Sequence, residues 1–216
     1  MNEIRIPEFG VYAVSSRFEG MEGEVCFSFR GQLLKAEAGI SAFSRLEDAF
    51  SRLQDIPPFE FMGMKFQLPV ILLPEGVYEF GRALTTVIPH AAVFLGEQAG
   101  INPNVQTEES RKQHCSRMHG LFYYGTLVIP EGLNGTVVFD GLALDTTRIR
   151  DQRSHGKDLG LVIRNCTFEG ALTQTIVSTA MPDDESDSSI EIRNCRLDGF
   201  DSLDDEVASL FTGAAS

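Results

Sequence analysis

Tryptophan is absent from this 216-residue chain, and positive charge is scarce: 18 Lys and Arg stand against 31 Asp and Glu, a formal net charge of −13. That acid excess argues against nucleic acid or an anionic membrane as a partner of the whole surface, while leaving room for a local basic site. Long apolar runs are missing too. The longest, such as Val70 to Leu73, fall far short of the roughly 20 residues a membrane-spanning helix needs. The opening Met1-Asn2-Glu3-Ile4-Arg5 has neither the basic start nor the apolar core of an export signal, which predicts a cytoplasmic protein, or an extracellular one that has lost its signal. Four cysteines (Cys26, Cys115, Cys166, Cys195) include no CxxC pair and no dense framework, so they read as core thiols or as those of a reducing compartment. What remains, at 43% apolar residues, is the composition of a soluble globular protein with a sizeable core.

A phrase that returns three times organises the chain. Val138-Phe139-Asp140-Gly141-Leu142-Ala143-Leu144-Asp145 aligns with Val162 to Glu169 and with Glu191 to Asp198. Apolar residues match at Phe139/Ile163/Ile192, Leu142/Cys166/Cys195 and Leu144/Phe168/Leu197. Gly141, Asn165 and Asn194 share one position, and these residue types adopt positive φ most readily. The phrase reads as strand, left-handed corner, strand. Its copies lie 24 and 29 residues apart, a spacing that suits a solenoid with insertions at one corner.

Upstream, Leu68 to Leu73 and Thr126 to Ile129 are apolar strands that each run into Pro-Glu-Gly. Val77 to Phe80 alternates as a half-buried strand does, and Ala91 to Leu95 ends at Gly96. Val11 to Val14 and Glu24 to Phe29 read as strands whose partners the pattern does not disclose. Ala42 to Asp48 is nearly repeated by Ala49 to Asp55, which predicts a helix over 42–55. Its buried face would hold Ala42, Phe43, Leu46, Ala49, Phe50 and Leu53, with Ser41 or Ser44 as cap and Ile56-Pro57-Pro58 as stop. So brief a heptad suits a helix laid over a core better than a coiled coil.

These features resemble the right-handed parallel β-helix proteins of the pectate-lyase-like superfamily. The resemblance rests on the 42–55 helix, Leu72-Leu73-Pro74-Glu75-Gly76-Val77-Tyr78-Glu79-Phe80, Val93-Phe94-Leu95-Gly96-Glu97, and the Ile-Arg-Asn-Cys phrases at 163–166 and 192–195. It covers residues 40 to 200 and implies a mostly β fold, a right-handed parallel β-helix solenoid of about five coils. Residues 1–65 would supply N-terminal strands and the capping helix, 66–200 the β-helix, and 201–216 a C-terminal cap or tail. Function is less constrained, because the family includes lyases, hydrolases, esterases, tailspikes and non-catalytic adhesins. The family's catalytic patterns are missing: there is no Asn-Thr-Asp and no Gly-His-Gly, Arg148-Ile149-Arg150 precedes Asp183-Asp184 in reversed order, and no tryptophan exists for a lyase motif.

Cations concentrate in two stretches that read as loops. Arg111, Lys112, His114, Arg117 and His119 precede a strand at 121–129, and Arg148, Arg150, Arg153, His155 and Lys157 precede one at 159–163. Loops entering neighbouring coils at one corner stack at about 4.8 Å. Arg117, His119, Arg150, Arg153 and His155 are therefore the candidate groove for a carboxylate or sulfate, which Arg forks suit. The plainer alternative is that these residues are solvated and paired with nearby acids. Asp140, Asp145, Glu169, Glu191 and Asp198 recur at fixed phrase positions and stack either as acid–base or calcium groups or as ordinary outward polar residues. Asp183 to Ser189 has the alternating oxygens of a calcium loop but lacks its glycine and its closing Glu, so no motif supports calcium and no cofactor or metal is expected. His114, Cys115 and His119 match no zinc spacing. Cys166 and Cys195 read as stacked inward thiols, and a disulfide between them is geometrically demanding.

The function these features imply is processing or binding of an acidic polysaccharide or oligosaccharide, uronate or sulfated. The alternatives are a non-catalytic scaffold, assembly or adhesion module, and the N-terminal part of a longer β-helix lyase or hydrolase. The strand edge after the last phrase needs cover, and a short helix at 204–211 is too small to supply it. A homo-oligomer joined through the C-terminal end is expected for that reason.

Overall fold

The computed structural model describes residues 3–80, 85–120, 125–153, 160–169, 176–178 and 189–198. The protein is mostly β, with parallel sheets. Its N-terminal part carries β1 (Glu3–Arg5), β2 (Val11–Val14), β3 (Glu24–Phe29), β4 (Gln32–Glu37), β5 (Ala42–Phe43), helix α1 (Leu46–Phe50), β6 (Phe59–Phe61) and β7 (Met64–Phe66). Then come β8 (Val70–Leu73), β9 (Gly76–Phe80) and β10 (Thr85–Val87), followed by β11 (Val93–Gly96), helix α2 (Glu108–Lys112), β12 (Ser116–Gly120) and β13 (Gly125–Ile129). The repeated phrases and the segments between them supply β14 (Thr136–Asp140), β15 (Ala143–Asp145), β16 (Thr147–Asp151), β17 (Gly160–Arg164), β18 (Thr167–Glu169), β19 (Ile176–Ser178), β20 (Ser189–Arg193) and β21 (Arg196–Asp198).

From β8 onward the chain visits three parallel sheets in turn. The first has the order β5-β2-β8-β11-β14-β17-β20, the second β9-β12-β15-β18-β21, and the third β10-β13-β16-β19. Register places like on like. Tyr12, Ile71, Phe94, Phe139, Ile163 and Ile192 form one inward column of the first sheet. Tyr78, Met118, Leu144, Phe168 and Leu197 form another in the second. Both belong to one core, in which Phe94 and Phe139 stack at 4.8 Å. Leu142, Cys166 and Cys195 are buried in the same cluster. The shared corner has the backbone its residue types suggest, with φ of 71° at Gly141, 53° at Asn165 and 50° at Asn194. Only glycine fits at 141, because a Cβ there would overlap the backbone of Gln98 and Ala99.

The helix expected over 42–55 does not form. Ala42 and Phe43 are instead strand β5, in parallel register with Ala13 and Val14, and only Leu46–Phe50 is helical. The edge of β2 decides this: the Ala13 and Ser15 backbone N–H groups donate to Ser41 O at 2.8 Å and Phe43 O at 2.9 Å, bonds that only an extended segment offers. The apolar pattern still reports burial, since Ala42, Phe43, Leu46, Ala49 and Phe50 are all buried and Phe50 meets Phe94 edge to face at 6.0 Å.

Partners that the sequence withheld are now visible. β3 pairs antiparallel with β4 through Arg30-Gly31, and β6 with β7 through Met62-Gly63. Both residues of each loop have positive φ (50° and 72°, 52° and 73°), the twist that suits a two-residue hairpin. The two hairpins bury Val70, Leu72, Val93 and Leu95, on the outward face of the first sheet, under Phe29, Leu34 and Phe61 in a second apolar cluster. Among the described residues no helix is long and apolar enough to cross a membrane.

Candidate functional site

The stretches read as cationic loops are largely strands. Arg117 and His119 lie on β12, where Ser116, Met118 and Gly120 point inward and alternation turns the two cations out. Arg150 lies on β16, where Thr147, Ile149 and Asp151 are buried and Arg150 is exposed. β12 belongs to the second sheet and β16 to the third, so these cations do not share one face. Arg153 is only 3% exposed. Its Nε and Nη2 hold Asp151 at 2.9 and 2.7 Å, while Nη1 donates to Gly135 O at 2.6 Å and Nη2 to Gly160 O at 3.1 Å. Arg153 is a structural clamp, not an anion ligand. His155, the Asp183–Ser189 stretch and residues 201–216 lie outside the described residues. The five-residue groove expected from sequence is therefore not assembled by the four members that are described.

Arg117 and His119 belong to a different arrangement. Glu79, His119, Asp145, Glu169 and Asp198 are in register across all five strands of the second sheet and form one outward row. The Arg117 guanidinium bridges Asp145, at 3.3 Å, and Glu169. His119 Nδ1 lies 3.0 Å from the same Asp145 oxygen. Arg196 and Arg111 hold Asp198 at 2.6 and 3.7 Å. The cavity beside Arg117, Glu169 and Asp198 is about 30 Å³, room for a single water rather than a sugar ring. This row fixes register by charge pairing. It leaves Asp145, Glu169 and Asp198 occupied by cations.

The larger opening lies on the first sheet, where the hairpin cover ends. A groove of about 880 Å³ runs between the hairpins and the outward faces of β11, β14, β17 and β20. Val93, Leu95, Val138 and Phe66 supply its apolar surface. Four cations line it: Arg30 and Lys65 from the two hairpins, and Arg164 and Arg193 from the sheet. Arg164 and Arg193 are register neighbours on adjacent strands. Arg164 Nε donates to Asp140 Oδ2 at 2.7 Å, which fixes the side chain while leaving it half exposed. Asp140 is neutralised locally, since its other oxygen accepts from Gly100 N at 3.0 Å and Asn165 Nδ2 at 2.8 Å. Arg193 pairs with Glu191 at the surface.

Comparison with protein-family models, with curated proteins and with solved structures returns no match. Sequence reasoning missed Arg164 and Arg193 although both stand in the Ile-Arg-Asn-Cys phrase. The signal was alternation: Ile163 and Ile192 point in, so the arginine that follows each points out.

A second cleft, of about 850 Å³, opens on the other side of the Arg30-Gly31 turn and is lined by Arg17, Phe18, Phe27, Glu75, Glu97 and His114 among others. Burial holds the Glu97 carboxyl above the usual carboxylate range, although the Arg30 and Glu75 backbone N–H groups that it accepts pull the other way. The Arg30 bond, 2.6 Å, ties the hairpin turn to the end of β11. His114 Nδ1 lies 2.9 Å from Glu75 Oε2. Burial likewise pushes the Cys115 thiol up, away from reactivity. Among the described residues no group of three His, Cys, Asp or Glu side chains is placed to hold a metal ion.

Proposed function

We propose that the protein is a right-handed parallel β-helix that binds an anionic glycan, uronate or sulfated, in the groove of its first sheet. Support for the β-helix comes from strand order: each successive set of three strands adds one to each of three sheets. Parallel crossovers within a sheet are right-handed in about 98% of cases, which supports the right hand. The observation that carries the function is the gathering of Arg30, Lys65, Arg164 and Arg193 round one groove in a protein of net charge −13. Apolar side chains between the cations suit the C–H faces of sugar rings, and guanidinium forks suit carboxylate or sulfate. Binding is favoured over cleavage because Asp145, Glu169 and Asp198 are engaged by Arg117, Arg111 and Arg196.

Titration calorimetry with a sulfated hexasaccharide, an oligogalacturonate of equal length and neutral maltohexaose tests this reading. The wild type should bind at least one of the anionic oligomers and ignore the neutral one. The double variant Lys65→Ala/Arg193→Ala spares the Arg164–Asp140 pair and should lose about tenfold or more, since hydrogen bonds to charged groups are worth about 1.5–3 kcal/mol each. Arg117→Ala and Arg150→Ala should leave affinity unchanged. Equal binding of the neutral oligomer, or an unaffected double variant, sinks the proposal.

A further inference from the structure

Two buried thiols sit directly behind the groove. Cys166 follows Arg164-Asn165 and Cys195 follows Arg193-Asn194, and φ of 53° and 50° at the asparagines turns both cysteines into the core while both arginines face out. The cysteines are neighbours across parallel strands, next to the Thr167–Arg196 register pair, with Arg196 N donating to Cys166 O at 2.9 Å. Adjacent strands lie about 4.8 Å apart, within the span of roughly 4.4–6.8 Å that a disulfide accepts between Cα atoms. Register holds on both sides of the corner and the asparagines share one backbone turn, so equivalent Cβ atoms repeat at the strand spacing of about 4.8 Å where a relaxed disulfide has about 3.8 Å. Closure thus needs roughly 1 Å of approach, and a bond formed under such strain is readily reduced again.

The thiols also communicate with each other and with the groove. Burial raises the Cys166 thiol, whereas the neighbouring Cys166 side chain lowers Cys195. Cys166 Sγ donates to Arg164 O at 3.1 Å, and Cys195 Sγ to Arg193 O at 3.3 Å. Each groove arginine therefore has its carbonyl held by one member of the pair.

We propose that Cys166 and Cys195 are a peroxide-oxidisable pair that closes reversibly to a disulfide and thereby weakens anion binding in the groove. The effect on binding rests on the function proposed above; the disulfide does not. The Cys195 thiolate attacks one oxygen of hydrogen peroxide, the O–O bond breaks, and the departing hydroxide takes up the thiol's proton as water, leaving a sulfenic acid. Cys166 sulfur then attacks the Cys195 sulfur, the S–S bond forms, and the sulfenic oxygen leaves as a second water carrying the Cys166 proton. Two thiols are oxidised and one peroxide is reduced to two waters. Both S–H donors to the arginine carbonyls are lost, and the two strands are drawn together beneath Arg164 and Arg193.

The test uses the full chain carrying Cys26→Ser and Cys115→Ser, treated with hydrogen peroxide; the wild type with peptide mapping serves if that variant fails to fold. Expected are a mass loss of two hydrogens, a cross-link between the Cys166 and Cys195 peptides, and several-fold weaker binding of the anionic oligomer, all reversed by dithiothreitol. Adding Cys166→Ser should make binding indifferent to peroxide. Thiols that stay alkylatable, or that over-oxidise without a cross-link, overturn the pair. A cross-link with unchanged affinity overturns its connection to the groove. Reduced protein that binds no anionic oligomer refutes the binding function, and the mass measurement still decides the disulfide.

Discussion

Replacing Arg153 with alanine should damage stability far more than any other arginine substitution at the strand ends. The guanidinium is 3% exposed and reaches three chain segments: Asp151 at the end of β16, the Gly135 carbonyl just before β14, and the Gly160 carbonyl that opens β17. It thereby ties the third sheet to two neighbouring strands of the first. Alanine removes the fork that neutralises Asp151 and the donors to both carbonyls. Breaking a buried ion pair from one side costs about 3–5 kcal/mol. For a domain of this size that corresponds to a Tm fall of about 6–20 °C, at roughly 2–4 °C per kcal/mol. Urea unfolding followed by circular dichroism, with thermal scans beside it, measures the effect. The control is Arg150→Ala, three residues away on the exposed face of β16, which should stay within about 0.5 kcal/mol of wild type. A cost below about 1 kcal/mol for Arg153→Ala, or an equal cost for Arg150→Ala, would refute the clamp.

Gly141→Ala should cost at least about 2 kcal/mol, combining a left-handed backbone with overlap onto Gln98 and Ala99, whereas Asn194→Gly at the equivalent exposed corner should cost less than about 1 kcal/mol; equal effects in urea unfolding would contradict this account of the corner. Glu97 gives a pH dependence. Because its folded-state value is raised, the folded protein keeps the proton to higher pH than the unfolded chain does, and wild-type stability falls as pH climbs from the unfolded value through the folded one. Glu97→Gln removes that loss, so the stability of the variant relative to wild type should rise as pH climbs above the ordinary carboxylate range and level off once the folded carboxyl has ionised; a flat or falling difference would show that burial is not the dominant influence on this carboxyl.

The strand stack was legible because two local signals coincide in it. Alternation placed Phe139, Ile163 and Ile192 in one column, and the Gly/Asn position marked the corner whose φ is positive in all three copies. The 42–55 segment shows what such signals omit. Its apolar spacing identified residues that are buried, but burial is compatible with more than one backbone. The free edge of β2 selected strand for Ala42 and Phe43, and a neighbour 29 residues away in sequence is invisible to a local pattern. The β4 and β7 strands were missed for a different reason: Gln32–Glu37 and Met64–Phe66 pair with the strand just before them across two-residue turns, and Arg30 and Met62 are not the residue types that mark the first position of such a turn.

The groove proposed to bind an anion was not legible in the sequence, because cations adjacent along the chain are not adjacent in space. Arg148, Arg150, Arg153, His155 and Lys157 are close in sequence, yet among those described the alternation of β16 exposes Arg150 while Arg153 turns back to Asp151 and is buried. Arg164 and Arg193 are 29 residues apart in sequence and one strand apart in space. In a stack of parallel strands, proximity belongs to residues at the same phrase position, not to residues in the same loop. A charge that recurs at one outward phrase position is therefore brought within reach of its copies automatically, whereas a run of charges along one strand is split between faces. Applied to this chain, that rule selects Arg164 and Arg193, which line the large groove, and the row of Glu79, His119, Asp145, Glu169 and Asp198, which neutralises itself through Arg117, Arg111 and Arg196. The difference between the two surfaces lies in the balance of each row: a carboxylate ladder interrupted by cations closes on itself, whereas the row Asp140, Arg164, Arg193 has one acid for two arginines and keeps charge to offer a ligand.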